Sequence, residues 1–265
     1  MIDLSAQDVL ISAGVGLAAG VLGGLLGIGG SVVLIPGLAF AFGTANPESQ
    51  HLYQASAMAV NVAVSFPAAL RHKKAGAIRP DLFRILLISA SIAIVIGVLC
   101  SNMVSGLLLR RLFAVFLAYI ALANIVKLVR KTPDHPHEEA KVTWPRAAPA
   151  GGVMGFAAGM LGIGGGIIGI PIMQASCRLP LRQCIGASSA VMTLTALVGA
   201  SIKIGTIPSH GFPISDALLL AALLAPTAVI GGRLGAGLTH KLPLPVVQTV
   251  LIALIAVSVW RMGFH

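Results

Sequence analysis

The chain has 265 residues, of which 57% are hydrophobic and only 10% charged, with a mean hydropathy of +0.95. A soluble domain carries about 25% charged residues, so this composition excludes a soluble enzyme, and the net charge of +10 does not indicate a nucleic-acid partner. The apolar residues form solid blocks instead of alternating, which excludes a β-barrel and predicts an all-α integral membrane protein.

The basic residues cluster between the apolar blocks, where they report topology. Met1-Ile2-Asp3-Leu4 has no basic region, so no cleavable signal peptide is expected. Cys100, Cys177 and Cys184 form no C-x-x-C pair and read as small packing residues.

The first apolar block, residues 9–43, has 35 residues. As one helix it would be about 52 Å long, against a hydrocarbon core of about 30 Å. Its middle reads Leu26-Gly27-Ile28-Gly29-Gly30-Ser31-Val32-Val33-Leu34-Ile35-Pro36. Glycine gives up the most backbone entropy in a helix, and the proline removes an N–H. One helix is therefore expected to stop at the glycines and another to start just after them.

Thr44 to Gln54 reads as a polar loop, followed by a span over 55–70 that carries Ser56, Asn61 and Ser65. A short basic loop from Arg71 precedes spans near 82–101 and 112–128. The hydrophilic segment around Lys131-Thr132-Pro133-Asp134-His135-Pro136-His137 reads as a solvated linker, not a metal site.

The plan then repeats. Residues 147–175 contain Leu161-Gly162-Ile163-Gly164-Gly165-Gly166-Ile167-Ile168-Gly169-Ile170-Pro171, at an offset of 135 from the first string. Spans follow near 187–203, 215–233 and 245–260, the first of them carrying Ser188, Ser189, Thr193 and Thr195. The chain thus divides into a first membrane repeat (1–130), a cytoplasmic linker (131–146) and a second repeat (147–265). Each repeat has a glycine-broken segment plus three transmembrane helices. Duplicated halves with interrupted hydrophobic segments mark secondary transporters with a midplane site.

If each glycine segment turns back to the side it entered, 14 of the 18 Lys and Arg share one side, in loops 71–84, 127–146, 176–183 and 233–243. If each crosses once, the split is 12 to 6. The first arrangement obeys the positive-inside rule better. It makes the repeats inverted and places both termini outside.

The doubled L-G-[IV]-G-G-[GS]-x-x-x-[IVL]-P element, the Ala-Ser-rich span after each copy and the polar central linker resemble the TauE/SafE family of sulfite-exporter-type anion transporters. The resemblance covers the whole chain. It implies export of a small anion, often sulfur-containing, such as sulfite or sulfoacetate, across a bacterial cytoplasmic membrane. Another small organic or inorganic anion is the alternative within transport, and a membrane scaffold subunit is the alternative outside it.

A helix starting after each break offers unpaired N–H groups and a positive dipole end, which suits an anion. The candidate substrate site is therefore Gly29, Gly30 and Ser31 on one wall and Gly164, Gly165 and Gly166 on the other. Ser56, Asn61, Ser188, Ser189 and Thr193 are the candidate polar contacts. Ser31 stands where the second copy has Gly166, so the two half-sites are chemically unequal, and its hydroxyl is placed to cap the new helix or to donate to an oxyanion.

Each feature also has a structural reading. The glycines serve tight helix packing, and the hydroxyls bond back to their own helix carbonyls. Asn61 satisfies both halves of its amide that way less readily. Lys203 at a span end snorkels to the interface or attracts an anion. Arg178 and Arg182 set topology or gather anions.

All eight acids and all seven histidines fall in loops or at span ends. That argues against a metal or cation transporter, an intramembrane enzyme and a buried carboxylate relay. No cofactor is expected.

Overall fold

The computed structural model describes residues 6–26, 29–130 and 140–238, together with the single positions Ala253 and Ala256. Among these residues the chain forms helices and no strand. The helices are α1 (Ala6–Leu26), α2 (Ser31–Phe42), α3 (Ser49–Lys74), α4 (Pro80–Asn102), α5 (Gly106–Arg130), α6 (Trp144–Leu161), α7 (Gly166–Cys177), α8 (Leu181–Thr206) and α9 (Ile214–Leu238). A 3₁₀ turn, Ile207–His210, continues α8. Residues 131–139 of the expected linker, with His135 and His137, and the expected last span lie outside the described residues, save the helical Ala253 and Ala256.

Five stretches are long and apolar enough to cross a membrane, in α1, α4, α5, α8 and α9. On α4 the exposed residues Ile88, Ile92, Ile96 and Leu99 recur at helical spacing, as a lipid-facing stripe does. Helices α2 and α7 have 12 residues each. At about 18 Å they are too short to cross alone.

Both glycine strings break the helix where the sequence predicts, between α1 and α2 and between α6 and α7. Each pair is a hairpin that returns to the side it entered. In the second, the Lys141 N–H donates to the Cys177 carbonyl (2.9 Å) and the Ser176 hydroxyl to the Arg146 carbonyl (3.0 Å), so the end of α7 lies at the start of α6. In the first, Val15 of α1 packs against Gly37 of α2, and Ile11 lies across a groove from Phe40. Loops 43–48, 103–105 and 207–213 consequently share one face of the slab. Loops 75–79, 140–143 and 178–180 share the other.

The chain exchanges helices across its middle. Helix α1 packs on α9 in the same direction, with Gly16 at Leu224, Gly20 at Ala228 and Gly235 at Val21. Helix α6 packs on α4 likewise, with Gly151 at Leu86, Gly155 at Ala90 and Gly159 at Val98. Between these pairs α3 and α8 run antiparallel: Ser65 meets Thr193, Met58 meets Gly199 and His51 meets Lys203.

Several boundaries differ from the sequence reading. Helix α3 starts at Ser49, not 55, because Gln50, His51 and Gln54 are buried and not in a solvated loop. Helix α5 starts at Gly106, with Arg110 buried and bonded to the Thr44 carbonyl (3.2 Å). Helix α8 starts at Leu181 and α6 at Trp144.

Candidate anion site and a buried polar cluster

At the first break the N–H groups of Val33 and Leu34 both donate to the Gly30 carbonyl (2.9 Å each), so the amides of Ser31 and Val32 precede the first helical bonds. No side chain caps this start. The Ser31 hydroxyl does not cap its helix; it accepts from Asn61 Nδ2 (2.5 Å). Both side chains are buried, at 0% and 1% exposure, and Asn61 Oδ1 has no partner.

Gly29 sits at φ +82°, a region that disfavours side chains. A Cβ there would reach 3.0 Å from Met192 Sδ and 3.5 Å from Asn61 Oδ1. The structure thus gathers Gly29, Gly30, Ser31 and Asn61 at one point, beside Met192 of α8.

The second break starts its helix in the same way, also without a side-chain cap, and has one further bond. The Gly166 N–H bonds the Gly164 carbonyl, and Ile168 and Gly169 donate to Gly165 (3.2 and 3.1 Å). Gly164, Gly165 and Gly166 are all buried. The preceding turn packs on α3, where Gln54 Nε2 donates to the Met160 carbonyl (3.2 Å) and the Gln54 stem lies against Gly162. Both breaks therefore touch α3, at Asn61 and at Gln54, about 10 Å apart along its axis.

The hydroxyl candidates divide. Ser56, Ser189, Thr193 and Thr195 bond back to carbonyls one turn earlier. Thr193 also donates to Ser65 (3.0 Å), and Ser56 to Ala217 of α9 (3.2 Å). Only Ser188 among the candidate hydroxyls is buried with no partner. Arg178 and Arg182 are exposed on the face that carries Arg71, Lys73 and Lys74. An apolar groove of about 360 Å³ between α1 and α2, lined by Ile11, Val15, Pro36 and Phe40, offers an anion no charged group.

Lys203 does not snorkel. It is fully buried, and its ammonium reaches Ser101 Oγ (2.6 Å), His51 Nδ1 (2.7 Å) and Asn102 Oδ1 (2.8 Å). On the far side of the His51 ring, Nε2 lies 3.2 Å from the Val104 carbonyl and 3.4 Å from Glu48 Oε2. Glu48 also accepts from the Gly106 N–H (2.9 Å) and from His210 Nδ1 (3.2 Å).

The sequence reading missed this cluster. One lysine in the otherwise uncharged second half of α8 was its only local signal.

Glu48, His51 and His210 bring ligand atoms within 4.8 Å of one another. They nevertheless suit a metal poorly. The two rings stack face to face, with centroids 3.6 Å apart and planes 14° off parallel, so their lone pairs do not converge on one ion. The Lys203 ammonium beside His51 would also repel a cation.

Residues 12–262 match the sulfite exporter TauE/SafE family. The chain is 27% identical to the probable membrane transporter protein MamO of Magnetospirillum gryphiswaldense over 97% of its own length, and spans about half (45%) of that relative. It is 27% identical to a probable membrane transporter protein of Methanocaldococcus jannaschii, over 86% of this chain and 85% of that one. A probable membrane transporter protein of Haemophilus influenzae is 28% identical over 89% and 90% of the two chains. No solved structure matches. The match across nearly all of an integral membrane chain built on two glycine-broken hairpins places it: it belongs to the sulfite exporter TauE/SafE family of membrane transporters.

Proposed function

We propose that the protein exports a small anion, sulfite or an organosulfonate such as sulfoacetate, across a bacterial cytoplasmic membrane, and that the anion binds at the first glycine break. The observation that carries this reading is the uncapped start of α2 beside the buried, half-satisfied Asn61 amide.

A 180° turn of that amide exchanges its two ends. The Ser31 hydroxyl then donates to Oδ1, and the amide N–H₂ faces the break together with the Ser31 and Val32 N–H groups. Such a cradle holds an oxyanion without a compensating cation, as helix N-termini do.

The two halves read as repeats of inverted topology. The reciprocal packing of α1 on α9 and of α6 on α4, with α3 antiparallel to α8 between them, supports this. The face carrying Arg71, Lys73, Lys74, Arg178 and Arg182 is then cytoplasmic. An inside-negative potential would favour exit of a singly charged anion by about 2.3 kcal/mol per 100 mV.

The test is efflux from proteoliposomes loaded in turn with sulfite, sulfoacetate, sulfate and a divalent metal salt at a set potential. Saturable sulfite or sulfoacetate flux is expected. Metal flux, or no flux of any anion, would overturn the reading.

A further inference from the structure

The first break has donors but little room. A Cβ placed on Gly29, smaller than any oxyanion, would lie 3.0 Å from Met192 Sδ, 3.5 Å from Met192 Cε and 3.5 Å from Asn61 Oδ1. Ordinary contact between non-bonded carbon atoms is about 3.5–4.0 Å. The space beside Gly29 is therefore occupied, and its nearest occupant is the end of the Met192 side chain, which is only 5% exposed.

The other walls are held. Behind the break lies the backbone of α1: a Cβ on Gly23 would come 2.9 Å from the Gly29 carbonyl carbon and 3.0 Å from the Gly30 nitrogen. On α3, Asn61 is bonded to Ser31. The α8 backbone is pinned where Met192 leaves it. The Thr193 hydroxyl donates to Ser65 (3.0 Å), one turn from Asn61 on α3, and the Met192 carbonyl accepts from Thr195 Oγ1 (3.3 Å). Of these groups, the Met192 thioether clears the site by bond rotation alone, since methionine is unbranched and has three rotatable side-chain bonds.

The contact is also chemically mismatched. Asn61 Oδ1 is buried without a partner, and the thioether beside it has no proton to give. A buried polar atom left unpaired is unfavourable. Replacing the thioether by an anion, with the amide turned to it, removes that cost.

We propose that the Met192 side chain plugs the anion site, and that the room it leaves on swinging aside sets the size of anion the site accepts. This rests on the anion-transport reading above. Gly29, Gly30, Ser31 and Asn61 come from the first half of the chain and Met192 from the second. One half thus holds the oxyanion head, and the other reads the bulk behind it. Sulfite ends at its oxygens. Sulfoacetate also carries a carboxymethyl arm, which needs the space that the Met192 side chain fills.

The experiment measures downhill efflux of labelled sulfite and labelled sulfoacetate from proteoliposomes holding the full-length protein, at one pH and one potential. The quantity read is the sulfoacetate-to-sulfite ratio of kcat/KM, each variant against the wild type. One methylene of room in an apolar pocket changes discrimination by about 10- to 200-fold. Met192→Ala is expected to raise the ratio by about tenfold or more. Met192→Val, a smaller truncation, is expected to raise it less, and it carries the test if Met192→Ala fails to fold. Met192→Leu conserves volume and is expected to leave the ratio near that of the wild type.

A residue that only packs would lower both fluxes together. An unchanged ratio in folded Met192→Ala or Met192→Val would therefore overturn the plug and leave the transport reading intact. So would a shift in Met192→Leu as large as that in Met192→Ala. Efflux of neither anion from the wild type would overturn both.

Discussion

Asn61→Asp is expected to abolish anion flux, by more than 100-fold, while the protein remains folded. Aspartate matches asparagine in shape, and the acceptor it adds replaces an amide end. Its charge, buried beside the start of α2, would occupy the positive end of the helix and repel an anion. Asn61→Ala is the milder companion. It removes only the donor, and hydrogen bonds to charged groups contribute about 1.5–3 kcal/mol, so a loss of about 10- to 100-fold in flux is expected. The ordering matters more than either number. A site for cations would reverse it, with Asn61→Asp raising flux. Flux assays on the two variants, with size-exclusion profiles to confirm folding, decide between these outcomes.

Gly155→Ala is expected to destabilise the protein by about 3 kcal/mol, the upper part of the usual range for overpacking. A Cβ at Gly155 would run into the Ala90 carbonyl and come within 2.7 Å of Ala90 Cα. Backbone cannot move aside as a flexible side chain can, so α6 and α4 would have to separate along their shared face. Gly152→Ala, one turn earlier on the same helix, is the control. Nothing lies within 4 Å of its added Cβ, and alanine gains about 1 kcal/mol of helix propensity over glycine. Thermal unfolding in detergent should show a marked loss for the first variant and no loss for the second. Equal behaviour would mean that α4 and α6 do not approach as described.

The glycine strings were legible because their effect is local. The glycine pairs Gly151-Gly152 and Gly231-Gly232 stay inside α6 and α9, whereas the denser Gly-x-Gly-Gly strings with a proline downstream mark the boundaries at Leu26, Ser31, Leu161 and Gly166. The return of each hairpin to its own side was legible through charge, since basic residues in short loops report topology. Asn61 stood out because an amide in an apolar span has few ways to satisfy itself, and it lies at the break against Ser31.

The other hydroxyls were less informative for a local reason. Ser56, Ser189, Thr193 and Thr195 each find an acceptor one turn back on their own helix, an option open to a serine or threonine at any helix position.

What the sequence hid depends on distance along the chain. His51 and Lys203 are 152 residues apart, and Gln54 and Met160 are 106 apart. Nothing near Gln50, His51 or Gln54 signals burial, so the segment reads as a loop. Only tertiary contacts, with Lys203 of α8, Ser101 of α4 and Met160 of α6, bury these polar side chains in the first turns of a helix. Lys203 near a span end has two outcomes, reaching water or finding acceptors. Ser101, Asn102 and His51 provide the second.

The most direct test of the central claim is equilibrium binding of labelled sulfite and sulfoacetate to the purified protein and to Asn61→Asp. Saturable binding of at least one of these anions, insensitive to divalent metal and lost in Asn61→Asp, is the predicted result. Binding equal in the two proteins, or a divalent cation held more tightly by Asn61→Asp, would contradict an anion site at the first glycine break.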